Sequence, residues 1–320
     1  MAKHTLVLDS SQISSFLECK QYWNLRYQKK LILSAAAHAQ SSQPMNAGTY
    51  GHKLLDLYYR NRVNNISFNE SIARAFAYDP DTDTCVCGCG LESHKFLTQL
   101  NVTECQRCKK CLKFTAKPFD LDKSTRIAVM NRLREYFAVY QMNDFQPLSE
   151  QHIEVGFSEP VYEDKENLFV LEGRIDIVGK LQGLTAIIDH KFQMRKHDLY
   201  RKSIQFRNYC LIAKIPMMII NYIRLSKTVD ATTLVREPVS FNAQEMLHWR
   251  EKLISIFFQI KEAQLRAGAD GTFEQNFSSC PGRFNYECAY TQLCEEPNKD
   301  ILKLKTNQLY TINPNPWRPW

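Results

Sequence analysis

Two aspartates and a lysine in the middle of the chain stand at spacings that bring them together on a β-hairpin. If Gln182 and Gly183 form a two-residue turn, Asp176 falls directly opposite Asp189, and Lys191 points to the same face. Opposed like charges destabilise a sheet unless a cation compensates them, and carboxylates suit Mg²⁺ or Mn²⁺. The spacing therefore predicts a divalent-metal site whose lysine activates water or stabilises charge on a phosphate. The alternative is a solvated edge hairpin in which the lysine only forms salt bridges.

Two further motifs flank this segment. One is Gly48-x-x-x-His52, on a predicted helix. In the other, Gln205 and Tyr209 stand four residues apart, which places both on one face of the helix after the lysine, and Arg201 on that face could contact phosphate. Taken alone, the histidine is better explained as a surface or hydrogen-bonded core residue, and the tyrosine as a packing residue.

In this order the motifs resemble those of PD-(D/E)XK nucleases, in the RecB/AddB-like branch. The resemblance implies an α/β (α+β) fold with a restriction-endonuclease-like core sheet flanked by helices. The catalytic residues that it implies are Asp176, Asp189, Lys191, His52, Gln205 and Tyr209. The metal ligands that it implies are His52, Asp176, Asp189 and the backbone carbonyl of His190. Glu154, on the preceding strand, is a further candidate for the metal or for its surroundings.

Cysteines at both ends of the chain form a second candidate site. The chain has 11 cysteines, and in a reducing cytosol clustered cysteines are more often metal ligands than disulfides. One precedes the predicted core and three follow it, which resembles the iron–sulfur members of the same branch. The resemblance implies a structural 4Fe–4S cluster with four thiolate ligands, at Cys19, Cys280, Cys288 and Cys294. Zinc at the same positions is the rival interpretation, and unrelated buried cysteines are the plainer one.

A turn-rich and cysteine-rich stretch over residues 79–117 reads as an insertion with the ligand spacing of a small zinc ribbon. Its candidate Zn²⁺ ligands are Cys85, Cys87, His94, Cys105, Cys108 and Cys111, with Cys89 as the weakest. The spacing neither identifies which four bind nor excludes two metals. The insertion could grip DNA or a protein partner through its lysines, or it could be a metal-stabilised excursion with a solvated basic face.

The composition is typical of a folded protein, and its net charge weakly favours binding to a polyanion. The 320 residues are 44% apolar and 12% aromatic and carry a net charge of +7, which permits a large core and weakly favours nucleic acid as a partner. The longest apolar run, residues 215–223, is too short to span a membrane. The N-terminus lacks a secretory pattern, so we expect a cytoplasmic protein of a bacterial or phage-infected cell.

Hydrophobic periodicity predicts the elements and regions around these motifs. Helices are expected from Ser10 or Ser11 to about residue 30, and over residues 47–63, 124–142, 200–213 and 243–267. Strands are expected over residues 153–157, 168–178, 184–192 and 217–225, so the centre has the order β-β-β-α-β, and the last cysteines fall in a loop-like tail. The expected regions are N-terminal helices over 1–78, the zinc-binding insertion over 79–117, the nuclease core over 118–275, and the cluster cysteines and tail over 276–320.

The motifs together favour a metal-dependent DNA exonuclease of phage or bacterial recombination or repair, in which water attacks phosphorus. DNA ends or single-stranded regions would be its substrate, and a helicase or recombinase could be its partner. A CRISPR-adaptation nuclease would share all these motifs. From another class, a non-catalytic zinc-containing DNA-binding or scaffold protein would have a broken site, whereas the histidine, both aspartates and the lysine are all present.

Overall fold

The computed structural model describes residues 3–34, 43–78, 94–97, 102–105, 112–114, 121–193, 202–226, 230, 233–267, 271, 273–280, 287–296 and 298–313. For residues 43–45 and for the three short segments between 94 and 114, it describes the backbone only. Within these ranges no helix is long and apolar enough to cross a membrane.

The described residues form twelve β-strands and nine α-helices. The strands are β1 (His4–Asp9), β2 (Leu31–Leu33), β3 (His94–Leu97), β4 (Val102–Cys105), β5 (Leu112–Phe114), β6 (Gln146–Pro147), β7 (Ile153–Glu163), β8 (Asn167–Leu181), β9 (Leu184–Gln193), β10 (Met217–Arg224), β11 (Leu234–Ser240) and β12 (Tyr310–Ile312). The α-helices are α1 (Ser10–Glu18), α2 (Lys20–Trp23), α3 (Gln43–Val63), α4 (Phe68–Phe76), α5 (Lys123–Tyr140), α6 (Ile204–Ala213), α7 (Ala243–Ala267), α8 (Thr291–Cys294) and α9 (Lys299–Leu309).

A mixed seven-stranded sheet forms the centre of the fold. β7, β8 and β9 are antiparallel neighbours, and β10 lies parallel to β9 after a crossover through α6. β11 pairs antiparallel with β10, β6 pairs with the end of β8, and β1 pairs parallel with the beginning of β8. The long central strand β8 thus pairs both with its neighbours in sequence and with β1, which lies more than 150 residues earlier in the chain.

The strand β8 keeps a partner along one edge but loses it along part of the other. β7 pairs with it from Leu168 to Ile177. On the opposite edge, β1 pairs only as far as Glu172, and β9 pairs only from Ile177 onward. No strand of the described chain covers residues 173–176 on that edge, and Asp176 lies at this opening.

Helices cover both faces of the sheet. On one face, α3, α4 and α5 pack around a core that includes Tyr58 and Ile188. The buried residues of α5 follow the spacing of one helical stripe, as in Val129, Leu133 and Phe137. On the other face, α1, α6 and α7 pack around a second core. A mixed sheet between two helical layers fits the expected restriction-endonuclease-like arrangement.

The two chain ends meet beside the sheet. β2 and β12 form a two-stranded antiparallel sheet, and Tyr290 donates a hydrogen bond to the carbonyl oxygen of Leu31 at 2.5 Å. Asn276 and Ser279 both donate to the carbonyl oxygen of Glu18, at 2.7 and 2.9 Å. This carbonyl is among those that a helix leaves unpaired at its C-terminus, so the tail closes the end of α1.

The insertion is described only in part. β3, β4 and β5 form an antiparallel sheet in which His94 lies opposite Cys105 in the backbone register, and the side chains of these two candidate zinc ligands are not described. The remaining zinc candidates lie outside the described residues, namely Cys85, Cys87, Cys89, Cys108 and Cys111.

The predicted central order β-β-β-α-β is confirmed, with α6 beginning at Ile204. The prediction of one helix from Ser10 or Ser11 to about residue 30 is wrong. Asp9 caps α1 by accepting a hydrogen bond from the backbone N–H of Gln12 at 2.8 Å, and the chain becomes extended at Cys19, with φ −158°. A π-helix over Asn24–Gln28 follows α2. The sequence prediction also omits β1, β11 and α4, and it treats the tail containing α9 as a loop.

Candidate functional site

The hairpin that carries the two aspartates has the predicted register. Gln182 and Gly183 both have positive φ, +52° and +83°, as a type I′ turn requires. The pairs run from Leu181 opposite Leu184 to Ile177 opposite Ile188. Beyond that pair the two strands separate. The turn thus fixes which residues reach the opening in the sheet.

Asp176 and Asp189 are next in register, but no backbone ladder joins them. Instead, the backbone N–H of His190 donates to Asp176 Oδ2 at 2.7 Å. Because successive side chains of a strand alternate between faces, Asp189 and Lys191 point toward one helical layer and His190 toward the other. The Asp176 carboxylate thus takes the place of a backbone partner between β8 and β9, where the two strands separate.

A third acid enters from β7. Ile153 pairs with Ile177 and Val155 with Ile175, so Glu154 is opposite Asp176 in register. Its φ of +53° is a conformation that non-glycine residues adopt only at a cost in energy. The paired residues on both sides hold this conformation, and the Glu154 carboxylate lies within 4.8 Å of the ligand atoms of Asp176 and His52.

The fourth group comes from α3. His52 Nδ1 lies 3.4 Å from Asp176 Oδ2. The helix can approach β9 this closely because residue 51 is glycine: a Cβ there would lie 2.4 Å from the ring of Phe192. Within the described residues, His52, Glu154 and Asp176 form the group of three whose ligand atoms all lie within 4.8 Å of one another. This donor set of imidazole and carboxylates suits a divalent cation.

Electrostatics supports the same conclusion. Burial, followed by repulsion from Asp189, raises the pKa of Asp176 well above its ordinary value. Burial and the charge of Asp176 raise the pKa of Glu154 to about 7. Although 30% of the His52 side chain reaches solvent, desolvation lowers its pKa, so at neutral pH the ring can act as a ligand. A cation would relieve the crowding of negative charge that otherwise retains protons here.

Asp189 and Lys191 form an adjoining pair with the α6 motif. Asp189 is buried, and its Oδ2 lies 2.7 Å from Lys191 Nζ. The same Nζ donates to Gln205 Oε1 at 3.3 Å, and Gln205 Nε2 donates to the Tyr209 hydroxyl at 2.8 Å. Burial, then the nearby aspartates, raises the pKa of Tyr209, so its phenol keeps its proton. The motif from α6 therefore holds the lysine rather than only lining a surface.

The four end cysteines surround one cavity. Its volume is about 380 Å³, and its lining includes Cys19, Cys280, Cys288 and Cys294. Cys19 reaches it because the chain is extended between α1 and α2, and the backbone N–H of Cys288 donates to the carbonyl oxygen of Cys280 at 2.9 Å. No three of these sulfur atoms lie within 4.8 Å of one another, as judged over the described residues. Burial, followed by the charges of the other three cysteines, raises the pKa of Cys294 to about 12.

The structure therefore brings together His52, Asp176, Asp189, Lys191, Gln205 and Tyr209, and separately gathers the four end cysteines. Glu154, a less certain candidate from the sequence, lies within the metal-ligand group itself. Its signal is weak in the sequence because only the register with β8 places it opposite Asp176. Arg201 lies outside the described residues. The Gly51–Phe192 contact is a feature that the motif spacing alone does not indicate.

Comparisons with known proteins bear on the chain as a whole. A model of the PD-(D/E)XK nuclease superfamily matches residues 10–295. No curated protein matches the chain. Among solved structures, the crystal structure of SSO0001 is similar over 42% of this chain and 60% of that one, at 12% sequence identity. Its TM-score of 0.26 is too low for the likeness to carry an argument.

Proposed function

Because this chain belongs to the PD-(D/E)XK nuclease superfamily, a superfamily of metal-dependent nucleases, we propose that it hydrolyses phosphodiester bonds of DNA as an exonuclease. The observation that carries the proposal is the convergence of His52, Glu154 and Asp176 next to the Asp189–Lys191 pair. Each of these side chains comes from a different element or register position, so their meeting is not a by-product of one local motif.

The cation is Mg²⁺ or Mn²⁺, and the residues fit it. His52, Glu154 and Asp176 supply one nitrogen and carboxylate oxygens within reach of a single ion. Asp189 completes the site from β9, and the backbone carbonyl of His190 is the further ligand expected from the resemblance. Bound in this position, such an ion polarises a phosphoryl oxygen and lowers the pKa of its water.

The residues of the chain position the other reactants. Lys191 carries its positive charge beside the acids, where it can stabilise charge on the phosphate or orient water. Gln205 holds the Lys191 ammonium group, and Tyr209 holds Gln205. If Asp189 also bound the cation, the ammonium group would keep Gln205 as its second partner and would stay directed at the site. Gln205 and Tyr209 thus act through the lysine.

The cavity at the chain ends fits a 4Fe–4S cluster better than zinc. Four thiolates on one Zn²⁺ ion, each at about 2.3 Å in a tetrahedron, lie roughly 3.8 Å from one another. Here no three of the four described sulfur atoms lie within 4.8 Å of one another, and they line a cavity of about 380 Å³. A 4Fe–4S cluster places a separate iron beneath each thiolate and accommodates that spread. Its role is to tie α1 to the tail, because hydrolysis requires no electron transfer.

Other parts of the function rest on sequence alone. Zinc in the insertion follows from the spacing of its cysteines and His94. A cytoplasmic setting in a bacterial or phage-infected cell, work in recombination or repair, and a helicase or recombinase partner follow from the resemblance to the RecB/AddB-like iron–sulfur branch. CRISPR adaptation would use the same site, and a non-catalytic DNA-binding scaffold is the alternative that activity measurements address.

The test is cleavage of end-labelled linear DNA by anaerobically purified protein with Mg²⁺ or Mn²⁺. We expect metal-dependent release of short products from linear DNA and no cutting of a covalently closed circle. The matched control is Asp176→Ala, which should bind DNA without cutting it. Cleavage of the closed circle would replace the exonuclease proposal with an endonuclease. Intact, metal-loaded protein that binds DNA but never cuts it would overturn the catalytic proposal in favour of the scaffold.

A further inference from the structure

The side chain of His190 lies on the face of the sheet opposite Asp189 and Lys191 and is buried, with 2% of its surface exposed. Its ring is stacked on Tyr59, with 5.8 Å between centroids and 14° between planes. On its other side, the His52 ring meets it edge-on at 6.1 Å. His52 and Tyr59 are seven residues apart on α3, about two helical turns or 10.5 Å. The His190 ring therefore fills the gap between two residues of one helix.

The Tyr59 side of this gap is rigid. Tyr59 is fully buried, and its hydroxyl lies 2.9 Å from Asp144 Oδ1 and 3.0 Å from the Tyr136 hydroxyl. Arg236 binds both of these partners, at 3.2 and 2.7 Å. These hydrogen bonds restrict the buried Tyr59 side chain to one geometry. Tyr59 thus gives the His190 ring a fixed surface against which to pack.

The ring itself is held in one orientation. Asn221 Nδ2 lies 2.7 Å from His190 Nδ1, and both side chains are buried. An amide nitrogen only donates hydrogen bonds, so Nδ1 of the ring accepts from the asparagine. A ring of fixed orientation between two rings of one helix has the properties of a spacer.

We propose that the His190 ring is a positioning residue that sets the distance between His52 and the acids by packing between His52 and Tyr59. His52 faces Asp176 on one side and the His190 ring on the other. Without the ring, α3 can move toward β9 or the His52 side chain can turn away from the acids. The middle residue of Asp189-His190-Lys191 then contributes through its side chain as well as through its backbone. This inference rests on the proposed metal site.

The test measures Mn²⁺ binding to the full chain, by the electron paramagnetic resonance signal of free Mn²⁺, beside DNA cleavage. We expect His190→Ala to weaken Mn²⁺ binding at the acids by about 10- to 100-fold, the usual effect of removing a group that orients a metal ligand. His190→Phe keeps a ring of similar shape and loses only the contact with Asn221. It should bind Mn²⁺ within about threefold of the unchanged protein, whereas His190→Gln, which keeps a polar group without a ring, should resemble the alanine variant.

Two controls separate this role from general packing. Phe169→Ala removes a fully buried ring in the other core and should lower thermal stability without changing Mn²⁺ affinity. If His190→Ala does not fold, Tyr59→Leu removes the opposite side of the gap and should weaken Mn²⁺ binding in the same way. Unchanged Mn²⁺ binding in folded His190→Ala or Tyr59→Leu protein would overturn the inference.

The Asp176→Ala variant distinguishes the two possible failures. If it also binds Mn²⁺ like the unchanged protein, the proposed metal site is wrong. If it loses Mn²⁺ binding while the His190 and Tyr59 variants keep it, the metal site stands and the positioning role alone fails.

Discussion

The carboxylate pocket of His52, Glu154 and Asp176 and the cavity lined by the four end cysteines gather their ligands in opposite ways. In the pocket, the ligand atoms lie within 4.8 Å of one another. In the cavity, no three of the four described sulfur atoms lie that close to one another, and they line a space of about 380 Å³. The ligand atoms of the pocket are close enough to bind one ion, whereas the cavity has room for a larger group.

The difference also concerns what each site costs when nothing is bound. The pocket crowds carboxylates that repel one another, and it keeps Glu154 in a strained backbone conformation. In the cavity, burial raises the pKa of Cys288 and of Cys294, so these two thiols stay neutral at neutral pH. Strain and charge repulsion in the unoccupied site are typical of catalytic sites. A site with only a structural role has no need of them.

The largest expected effect comes from the pocket. Asp189→Asn keeps the size of the side chain and removes its charge, so it should reduce cleavage by at least about 10³-fold, since metal-assisted charge stabilisation is worth several kcal/mol and each 1.36 kcal/mol is tenfold in rate. The measurement is the single-turnover rate on labelled DNA, with Glu159→Gln, an exposed acid on β7, as the control that should cut normally. Because the two sites are separate, the visible absorbance expected from the proposed iron–sulfur cluster should not change. Equal loss in both variants would show that the assay responds to net charge rather than to this site.

The next effect comes from the cavity. Cys294→Ser should remove iron and sulfide from the protein and lower its free energy of unfolding by at least about 3 kcal/mol, the contribution of a ligand present far above its dissociation constant. Iron analysis and chemical denaturation measure the two quantities. Cys210→Ser, at a buried cysteine outside the cavity, is the control for loss of a thiol and should retain its iron. A Cys294→Ser protein that keeps full iron content would contradict the proposed ligand set.

How far the sequence predicts these two regions follows from the same difference. The pocket is set by register: a two-residue turn fixes Asp176 opposite Asp189, and alternation then places Lys191. Glu154 is harder to assign, because its position depends on a positive φ that no local pattern at that residue requires. The cavity depends on contacts between Glu18 and the tail, which spacing along the chain does not encode, so only resemblance could group its cysteines.

The sheet strands that the sequence prediction misses, β1 and β11, depend on pairing with other strands of the central sheet. β1 exists because it pairs with β8, and β11 because it pairs with β10. Edge strands of this kind are decided by tertiary contacts more than by propensity. The break of the first helix at Cys19 has the same origin: the residues on both sides favour a helix, and the contacts of the tail favour the extended cysteine.

The pocket and the cavity should also differ in how the free energy of unfolding depends on pH, measured in protein without bound metal or cluster. Burial raises the pKa of Glu154 from 4.5 to about 7, so the folded state binds more protons than the unfolded state between these values, and stability falls as pH rises through them. Glu154→Gln should remove part of this slope and be more stable than the unchanged protein above pH 7, by on the order of 1–3 kcal/mol. The cavity behaves differently, because the pKa of Cys294 rises from 9.0 to about 12 and its slope begins only above pH 9.

Thermal unfolding across this pH range, with chelator and with Mn²⁺, measures both slopes. Mn²⁺ should stabilise the unchanged protein more at pH 8 than at pH 5, because it binds the deprotonated acids. If stability changed with pH in the same way in Glu154→Gln protein between pH 4.5 and 7, Glu154 would not belong to the pocket.

The smallest effect tests how closely α3 approaches the sheet. Replacing a helical glycine by alanine ordinarily stabilises a protein by about 0.5–1 kcal/mol. At Gly48 the new Cβ would make ordinary contact, 3.8 Å from Phe192 Cβ, so Gly48→Ala should show this gain. At Gly51 it would lie 2.4 Å from the Phe192 ring, and overpacking of about 1–3 kcal/mol should outweigh the gain. The double variant Gly51→Ala/Phe192→Leu should recover stability, as measured by thermal unfolding in a double-mutant cycle. If Gly51→Ala stabilised the protein as Gly48→Ala does, α3 would stand farther from β9, and the reach of His52 to the acids would then have to come from its side chain rather than from the approach of the helix.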